Sequence, residues 1–183
     1  MHEPAMTKIV LTYEDFATLP DDGKRYELHE GELSVSPAPG HRHQRVIGNL
    51  FLILAPHVRA TGHGEVILSP FDCIMTNITV VEPDLVYLDE ARRRRLSERG
   101  LEGGPSLAVE VLSPSSIIID RRRKMALYAS HDVPWYWIVD PDAHTIEAYR
   151  LEGRAYRVAG VLEGAAPRGL PRSDRAVRTR WPC

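Results

Sequence analysis

The chain has 183 residues, of which 43% are hydrophobic and 26% charged, and its formal net charge at pH 7 is −2. These values are typical of one globular domain, and the charge excludes a global attraction to nucleic acid, so any such site must be a local basic patch. The two cysteines, Cys73 and Cys183, indicate neither a disulfide framework nor a cysteine zinc site. Because no apolar run approaches a membrane span and no signal peptide is recognisable, we expect a cytoplasmic protein without a membrane partner.

The first half of the chain predicts two helices, a hairpin and two strands. Thr12 is the candidate N-cap of the first helix, and Glu30-Gly31 is the turn of the hairpin. Pro56 can kink or end the second helix, and Pro70 marks a bulge or an edge position in the strand over 65–75. In chain order we expect a helix over 12–19, a hairpin over 25–36, a helix over 41–60, and strands over 65–75 and 79–88.

The second half predicts strands arranged around one further helix. The charged run Arg92–Arg95 belongs to a helix or loop, residues 100–105 are expected to be flexible, and Ile117–Ile119 form the entry of the helix because they are poor helix formers. The expected elements are a helix over 116–130 and strands over 107–112, 133–139, 145–151 and 155–162. This order predicts a mixed α/β or α+β domain with a central sheet flanked by helices.

We expect this domain to cover residues 1–162 and a weakly ordered tail to cover residues 163–183. From Glu163 onward glycine, proline, serine and arginine dominate, and hydrophobic periodicity stops. The tail is basic through Arg168, Arg172, Arg175, Arg178 and Arg180.

Two carboxylates lie in neighbouring strand motifs. Glu110 interrupts the apolar strand 107–112, where a carboxylate is costly unless it is paired, protonated or bound to a metal, and Asp84 follows Pro83 in the preceding strand. If the strands are neighbours, Asp84 and Glu110 converge, and such an oxygen site suits Mg²⁺ or Mn²⁺. Lys124 on the next helix could stabilise negative charge, which would complete a centre for metal-assisted phosphodiester hydrolysis. Structural ion pairs use the same residue types, so Glu110 could instead be a structural partner of Lys124 or of an arginine.

A set of segments in a fixed order carries a resemblance to a known family. They are YELHEGEL at 26–33, SPAPGHRHQRV at 36–46, VVEPDLVYL at 80–88, LAVEVLSPSS at 107–116, the spaced residues Asp120, Lys124 and Tyr128, and VPWYWIVDP at 133–141. With these segments the chain resembles, over residues 13–151, the bacterial Uma family of PD-(D/E)XK endonucleases. The resemblance implies a restriction-endonuclease-like fold, a central mixed β-sheet flanked by helices with its active site on the carboxylates.

The same resemblance implies roles for individual residues. Asp84 matches the aspartate of the PD motif, and Glu110 matches the second acid. The usual lysine stands two residues after that acid, where this chain has Leu112, so Lys124 would be a migrated replacement. The backbone carbonyl of Val111 would be a further metal ligand.

Several polar residues are secondary candidates. Glu27 and Glu32 could supply a further acid near the metal, although solvent-facing hairpin carboxylates are equally common. Glu27 ranks first because it lies between Tyr26 and Leu28 in a packed strand. His43, near the start of the long helix, could act as a general base or bind phosphate, while a surface histidine is the more common outcome.

The helix around Lys124 carries further polar and basic side chains. Asp120 shares a face with Lys124 and is expected to orient the lysine rather than bind metal, and Tyr128 is expected to pack. The arginine runs at 92–95 and 121–123 are expected to be solvated, although together they could contact phosphates. Trp135 and Trp137 are expected to pack in the core or a dimer interface.

Together these features predict a Mg²⁺- or Mn²⁺-dependent endonuclease that hydrolyses DNA. The alternative is a catalytically inactive nucleic-acid-binding or interaction module on the same scaffold, which the retained acids oppose and Leu112 favours. Hydrolysis of a different phosphoester would need a pocket rather than a groove beside Asp84. The apolar C-terminal segment usual in the family is missing after Leu162, and an apolar surface left uncovered would favour a homodimer.

Overall fold

Two six-stranded mixed sheets form the framework of the computed structural model, which describes residues 9–113 and 116–164. The predicted tail therefore lies outside the described residues from residue 165 onward. The strands are β1 Arg25–His29, β2 Glu32–Ser36, β3 Glu65–Leu68, β4 Cys73–Thr76, β5 Thr79–Val81, β6 Leu85–Leu88, β7 Leu96–Ser97, β8 Gly100–Glu102, β9 Leu107–Val111, β10 Trp135–Asp140, β11 Thr145–Glu152 and β12 Ala155–Glu163.

In the described part of the chain, four α-helices and one π-helical turn accompany the sheets. The helices are α1 Tyr13–Phe16, α2 His41–Thr61, α3 Glu90–Arg93 and α4 Met125–Ser130, and the π-helical turn Ile119–Lys124 leads directly into α4. The first sheet has the order β2-β1-β5-β4-β8-β7 and the second the order β12-β11-β10-β9-β6-β3. In the second sheet β9 pairs parallel with β10 and antiparallel with β6. The predicted mixed sheet with flanking helices is confirmed, with two sheets in place of one.

At two of the places where the chain passes from one sheet to the other, the sequence predicted a continuous strand. The segment 65–75 divides into β3 of the second sheet and β4 of the first, and the segment 79–88 divides into β5 of the first sheet and β6 of the second. Pro70 and Pro83 lie at these breaks, and proline lacks the N–H that a continuous ladder needs. The second crossing places Asp84 directly before β6.

Local sequence signals explain several other elements. Thr12 caps α1 in a capping box with Asp15, although the helix ends earlier than predicted. Helix α2 continues through Pro56 to Thr61, so the proline does not end it. The flexibility predicted for 100–105 is wrong, because Gly100 begins β8: its φ of 130° and the nearby carbonyl of Asp72 exclude a side chain at this position.

Strand β9 is buried along its whole length and has two different faces. Leu107, Val109 and Val111 pack with Ile47 and Leu50 of α2 in one hydrophobic cluster. The opposite face packs through Ala108 and the following Leu112 against Leu127 and Tyr128 of α4. The predicted alternation is therefore confirmed, and it directs Glu110 toward the face that α4 and the π-helical turn cover.

Candidate active site

A cavity of about 150 Å³ lies among β1, the start of α2, the end of β9 and the π-helical turn. Its ionisable lining residues are Arg25, Glu27, His43, Asp84, Glu110, Asp120 and Lys124. Val111 also lines this cavity. The structure thus brings the sequence-predicted site residues together, except for Glu32, whose carboxylate contacts Arg123 on the outside of the molecule.

Lys124 is the buried cation at one side of this cavity. Its Nζ donates to Oε1 of Glu110 at 3.0 Å and lies 2.9 Å from Oε1 of Glu27. Oδ1 of Asp120 is more distant, at 3.8 Å. The lysine is only 3% exposed, and the π-helical turn carries both it and Asp120 inward. The ammonium therefore lies near the end of β9, beside Glu110. Leu112, which occupies the position of the usual motif lysine, packs in the hydrophobic core instead.

Tyr128 does more than the packing that its helical position predicted. Its hydroxyl donates to Oε1 of Glu110 at 2.7 Å, so this one oxygen accepts from both a hydroxyl and an ammonium. Tyr136 donates to the backbone carbonyl of Asp120 at 3.0 Å and thereby fixes the π-helical turn. These two buried tyrosines hold the acid and the helical element that supplies the lysine.

Asp84 connects three elements on the other side of the cavity. Its Oδ2 accepts from the backbone N–H of Val111 at 2.8 Å, and its Oδ1 accepts from Nη1 of Arg25 at 2.8 Å. His43 brings Nε2 to 3.1 Å from Oδ2 of Asp84 and 2.9 Å from the Val111 carbonyl oxygen. Burial opposes ionisation, but His43, Arg25 and the Val111 N–H outweigh it and lower the pKa of Asp84.

The two carboxylates that share Lys124 have opposite pKa shifts. Burial raises the pKa of Glu110 well above its usual value, and repulsion by Asp120, Asp84 and Glu27 adds to this effect against the attraction of Lys124. Burial also penalises the Glu27 carboxylate, but Lys124, His29 and the Glu82 N–H outweigh burial and lower its pKa to about 2. The negative charge of Glu27 is therefore better stabilised than that of Glu110, because His29 and the Glu82 N–H act on Glu27 in addition to Lys124.

The cavity lining fits a divalent cation in charge and in donor type. Among residues 9–113 and 116–164, no three histidine, cysteine or acidic side chains are already grouped in a metal-binding arrangement. The lining does contain four carboxylates and two cationic side chains, which leaves an excess of two negative charges when all are ionised. The carboxylates of Asp84 and Glu110 and the carbonyl of Val111 are the oxygen ligands that Mg²⁺ and Mn²⁺ prefer.

Sequence reasoning missed Arg25 and Glu82. Arg25 binds Asp84 as described, and its Nε lies 3.0 Å from Oε1 of Glu82. Glu82 also donates its backbone N–H to Oε1 of Glu27 at 2.9 Å. The signal that could have found Arg25 is alternation, because Arg25, Glu27 and His29 share one face of β1.

The arginine runs and the tryptophans lie outside this cavity. Arg93 of the first run pairs with Glu90, and Arg121 of the second donates to both carboxylate oxygens of Glu147. Trp135 and Trp137 pack against the cluster under α2, which confirms the packing prediction. Within the described residues, no helix has the length and hydropathy needed to span a membrane.

The two mixed sheets and the buried carboxylate–lysine cavity define a nuclease-like protein of the restriction-endonuclease-like class. The family described as "Uma2: Putative restriction endonuclease" matches residues 13–173, so the chain belongs to this family. A crystal structure described as "a putative nuclease belonging to DUF820", from Anabaena variabilis, has a similar fold, with a TM-score of 0.69 and 20% sequence identity. The similarity covers 88% of this chain and 89% of that chain. No curated protein matches.

Proposed function

We propose that this protein is a divalent-metal-dependent endonuclease that hydrolyses DNA phosphodiester bonds in the cavity at Asp84, Glu110 and Lys124. The observation that carries the proposal is the convergence of a buried lysine and several carboxylates on one cavity. The family match supports a nuclease-like function, and its printed description as a restriction endonuclease supports DNA as the substrate.

The dimensions of the cavity favour a polymer over a small phosphoester. A volume of about 150 Å³ accommodates a phosphate group, whereas pockets for whole small molecules usually exceed about 300 Å³. A phosphodiester within a strand presents its phosphate with the flanking nucleosides outside. The third alternative, hydrolysis of a small phosphoester in an enclosed pocket, is therefore less favoured than cleavage of a nucleic acid.

The Asp84 and Glu110 carboxylates and the Val111 carbonyl would hold Mg²⁺ or Mn²⁺. When bound, such an ion polarises the phosphate and lowers the pKa of water. Arg25 and His43 keep Asp84 and the Val111 carbonyl in place through the contacts described above. Nδ1 of His43 has no hydrogen-bond partner among the described residues, so in our proposal this nitrogen is available to accept a proton.

Lys124 would donate to a non-bridging phosphate oxygen and stabilise the charge that develops on it. Glu27 and Glu110 hold the ammonium at 2.9 and 3.0 Å, which fixes its position before substrate arrives. Burial opposes the charged form, but the attraction of Glu110, Glu27 and Asp120 outweighs it and raises the pKa of Lys124. The lysine is therefore a permanent cation and not a proton donor at neutral pH.

Cleavage assays on three single variants test the proposal. We expect Asp84→Asn, Glu110→Gln and Lys124→Met each to lose about a hundredfold or more of the Mg²⁺- or Mn²⁺-dependent cleavage of plasmid and oligonucleotide DNA. Glu32→Gln is the matched control, because Glu32 lies outside the cavity, and it should retain activity within about twofold. Equal activity in all four variants would reject the assignment.

The inactive binding module remains the second candidate because Leu112 stands at the usual lysine position. Calorimetric titration with Mn²⁺ separates the two functions without relying on turnover. A nuclease site should bind Mn²⁺ in the wild type and lose this binding in Asp84→Asn. A wild-type protein that does not bind Mn²⁺ and does not cleave DNA would favour the binding module.

A further inference from the structure

A second cleft, here named the α2 cleft, lies beside the catalytic cavity and has no part in the chemistry described above. It has a volume of about 360 Å³ and lies between the first turns of α2 and the turn that joins β10 to β11. This volume lies within the usual range for small-molecule pockets, about 300–1,000 Å³, whereas the catalytic cavity is too small for a nucleoside.

The walls of the α2 cleft combine apolar and polar groups in a manner that suits a nucleotide. Its apolar lining includes Val46 of α2 and Ile146 of β11, which also pack against the core. Its polar lining includes Arg45, Asn49 and His144. Apolar surface can accept the face of a base, while an amide and a cation can bind its edge and its phosphate.

The charges around the cleft leave Arg45 as the group that is available to a ligand. Arg42 is engaged, because it donates to the carboxylate of Asp142 and to the carbonyl of Pro141 at 2.7 Å. The Asp140 carboxylate accepts two backbone N–H groups of its own turn, each at 2.9 Å, and is thereby partly compensated. Arg45 is exposed and makes no ion pair or hydrogen bond with the described residues.

The first turns of α2 separate the two cavities. Gly40 and His43 line the catalytic cavity, whereas Arg42, Arg45 and Asn49 line the α2 cleft. Residues 42, 45 and 49 share a helical face, and a helix with its side chains is about 10–12 Å thick. At about 3.4 Å for each nucleotide of one strand, a nucleic-acid strand that places one phosphate in the catalytic cavity can therefore reach the cleft within about three nucleotides.

We propose that the α2 cleft binds a nucleotide of the cleaved strand, about three positions from the scissile phosphate, through the cation of Arg45 and the apolar surface of Val46 and Ile146. This inference rests on the proposed function, because it assigns the cleft to the same substrate. It makes Arg45 a substrate-binding residue that takes no part in metal binding.

Binding in the absence of metal tests the cleft separately from cleavage. Fluorescence anisotropy with dye-labelled single-stranded and duplex oligodeoxynucleotides in EDTA should show that Arg45→Glu raises the dissociation constant by about tenfold or more. Arg45→Ala should lower the magnitude of the salt slope of binding by about one. Arg59→Glu is the matched control, since Arg59 is an exposed arginine at the other end of the same helix, and it should change the dissociation constant by no more than about twofold.

Each outcome decides the inference. Equal dissociation constants for Arg45→Glu and Arg59→Glu overturn it, as does a wild type that binds no oligonucleotide. A loss of binding specific to Arg45→Glu supports the cleft even if the wild type cleaves nothing, in which case only the nuclease proposal fails. Conversely, if the wild type cleaves DNA and Arg45→Glu has an unchanged kcat/KM, the role proposed for the α2 cleft is rejected and the nuclease proposal stands. Light scattering gives the last outcome: a change of oligomeric state in Arg45→Glu would assign the cleft to an interface between copies and overturn the inference.

Discussion

The two faces of β9 are equally buried but chemically opposite. Toward α2 the strand presents Leu107, Val109 and Val111 to an apolar cluster. Toward α4 it presents Glu110, which is 2% exposed and contacts Lys124 and Tyr128. One strand therefore supports a hydrophobic core on one side and a charged cavity on the other.

The difference between the faces separates stability from function. Burial of apolar side chains contributes about 25 cal/mol for each Å² removed from water. Burial of ion pairs carries a desolvation cost that can exceed their mutual attraction, and loss of one partner leaves a buried charge uncompensated. We therefore interpret the α2 face as the source of stability and the α4 face as a site maintained against its energetic cost.

The largest expected effect is that of Lys124→Met. This change leaves Glu27, Glu110 and Asp120 without their shared cation, and we expect a loss of about 4 kcal/mol in the free energy of unfolding. Urea denaturation measures it. Combining Lys124→Met with Glu27→Gln and Glu110→Gln should restore part of the loss, because the uncompensated charges are removed. A loss below about 1 kcal/mol would show that the cavity hydrates freely.

Ile47→Ala addresses the apolar face. Ile47 is 3% exposed under β9, and its truncation should cost about 3 kcal/mol through lost apolar burial and a cavity. Binding of Mn²⁺ per folded molecule should remain unchanged, as measured by calorimetry under conditions in which the variant is folded. A large loss of metal affinity would contradict the separation of the two faces.

Tyr128→Phe has a smaller expected effect on the charged face. It removes the hydroxyl that donates to Oε1 of Glu110 and keeps the ring in the core, and we expect a loss of about 2 kcal/mol, because a buried acceptor loses one of its donors. Tyr156→Phe is the control, because its hydroxyl donates to the carbonyl of Val133 and neither residue lines the cavity. An equal or smaller loss in Tyr128→Phe would assign Tyr128 to packing alone.

The smallest expected effect, counted per pH unit, is on the acid dependence of stability. The pKa of Glu27 is lowered to about 2 in the folded protein from an ordinary 4.5. Its stabilising contribution is therefore present above pH 4.5 and is lost as the pH falls toward 2. Glu27→Gln should reduce the slope of unfolding free energy in this window by up to about 1.4 kcal/mol per pH unit, whereas Ile47→Ala should keep the slope. Parallel slopes for wild type and Glu27→Gln would contradict the lowered pKa.

Elements with strong local periodicity were predictable from the sequence. The hairpin with its Glu30-Gly31 turn, helix α2 and strand β9 all occur as expected. In each of these elements, the spacing of apolar residues along the sequence indicates which side chains face the core. The candidate residues Asp84 and Glu110 were recognisable for a related reason, because a carboxylate beside apolar strand residues departs from the surrounding pattern.

Other features were not predictable because they depend on contacts between distant segments. The prolines at 70 and 83 signalled irregularity, but not that the chain passes from one sheet to the other at each of them. The π-helical turn that carries Lys124 inward follows no simple propensity, since π turns are rare and depend on tertiary context.

The sequence by itself determined the hairpin, helix α2 and strand β9, the alternation that directs Glu110 away from α2, and the two candidate acids. Only the tertiary structure decided which cations compensate these acids. Arg25 reaches Asp84 across 59 positions of the chain, and Lys124 contacts both Glu110 and Glu27 from a different element. The physical reason is that local periodicity specifies which side of an element a side chain occupies, whereas electrostatic compensation depends on distances of about 3 Å between elements.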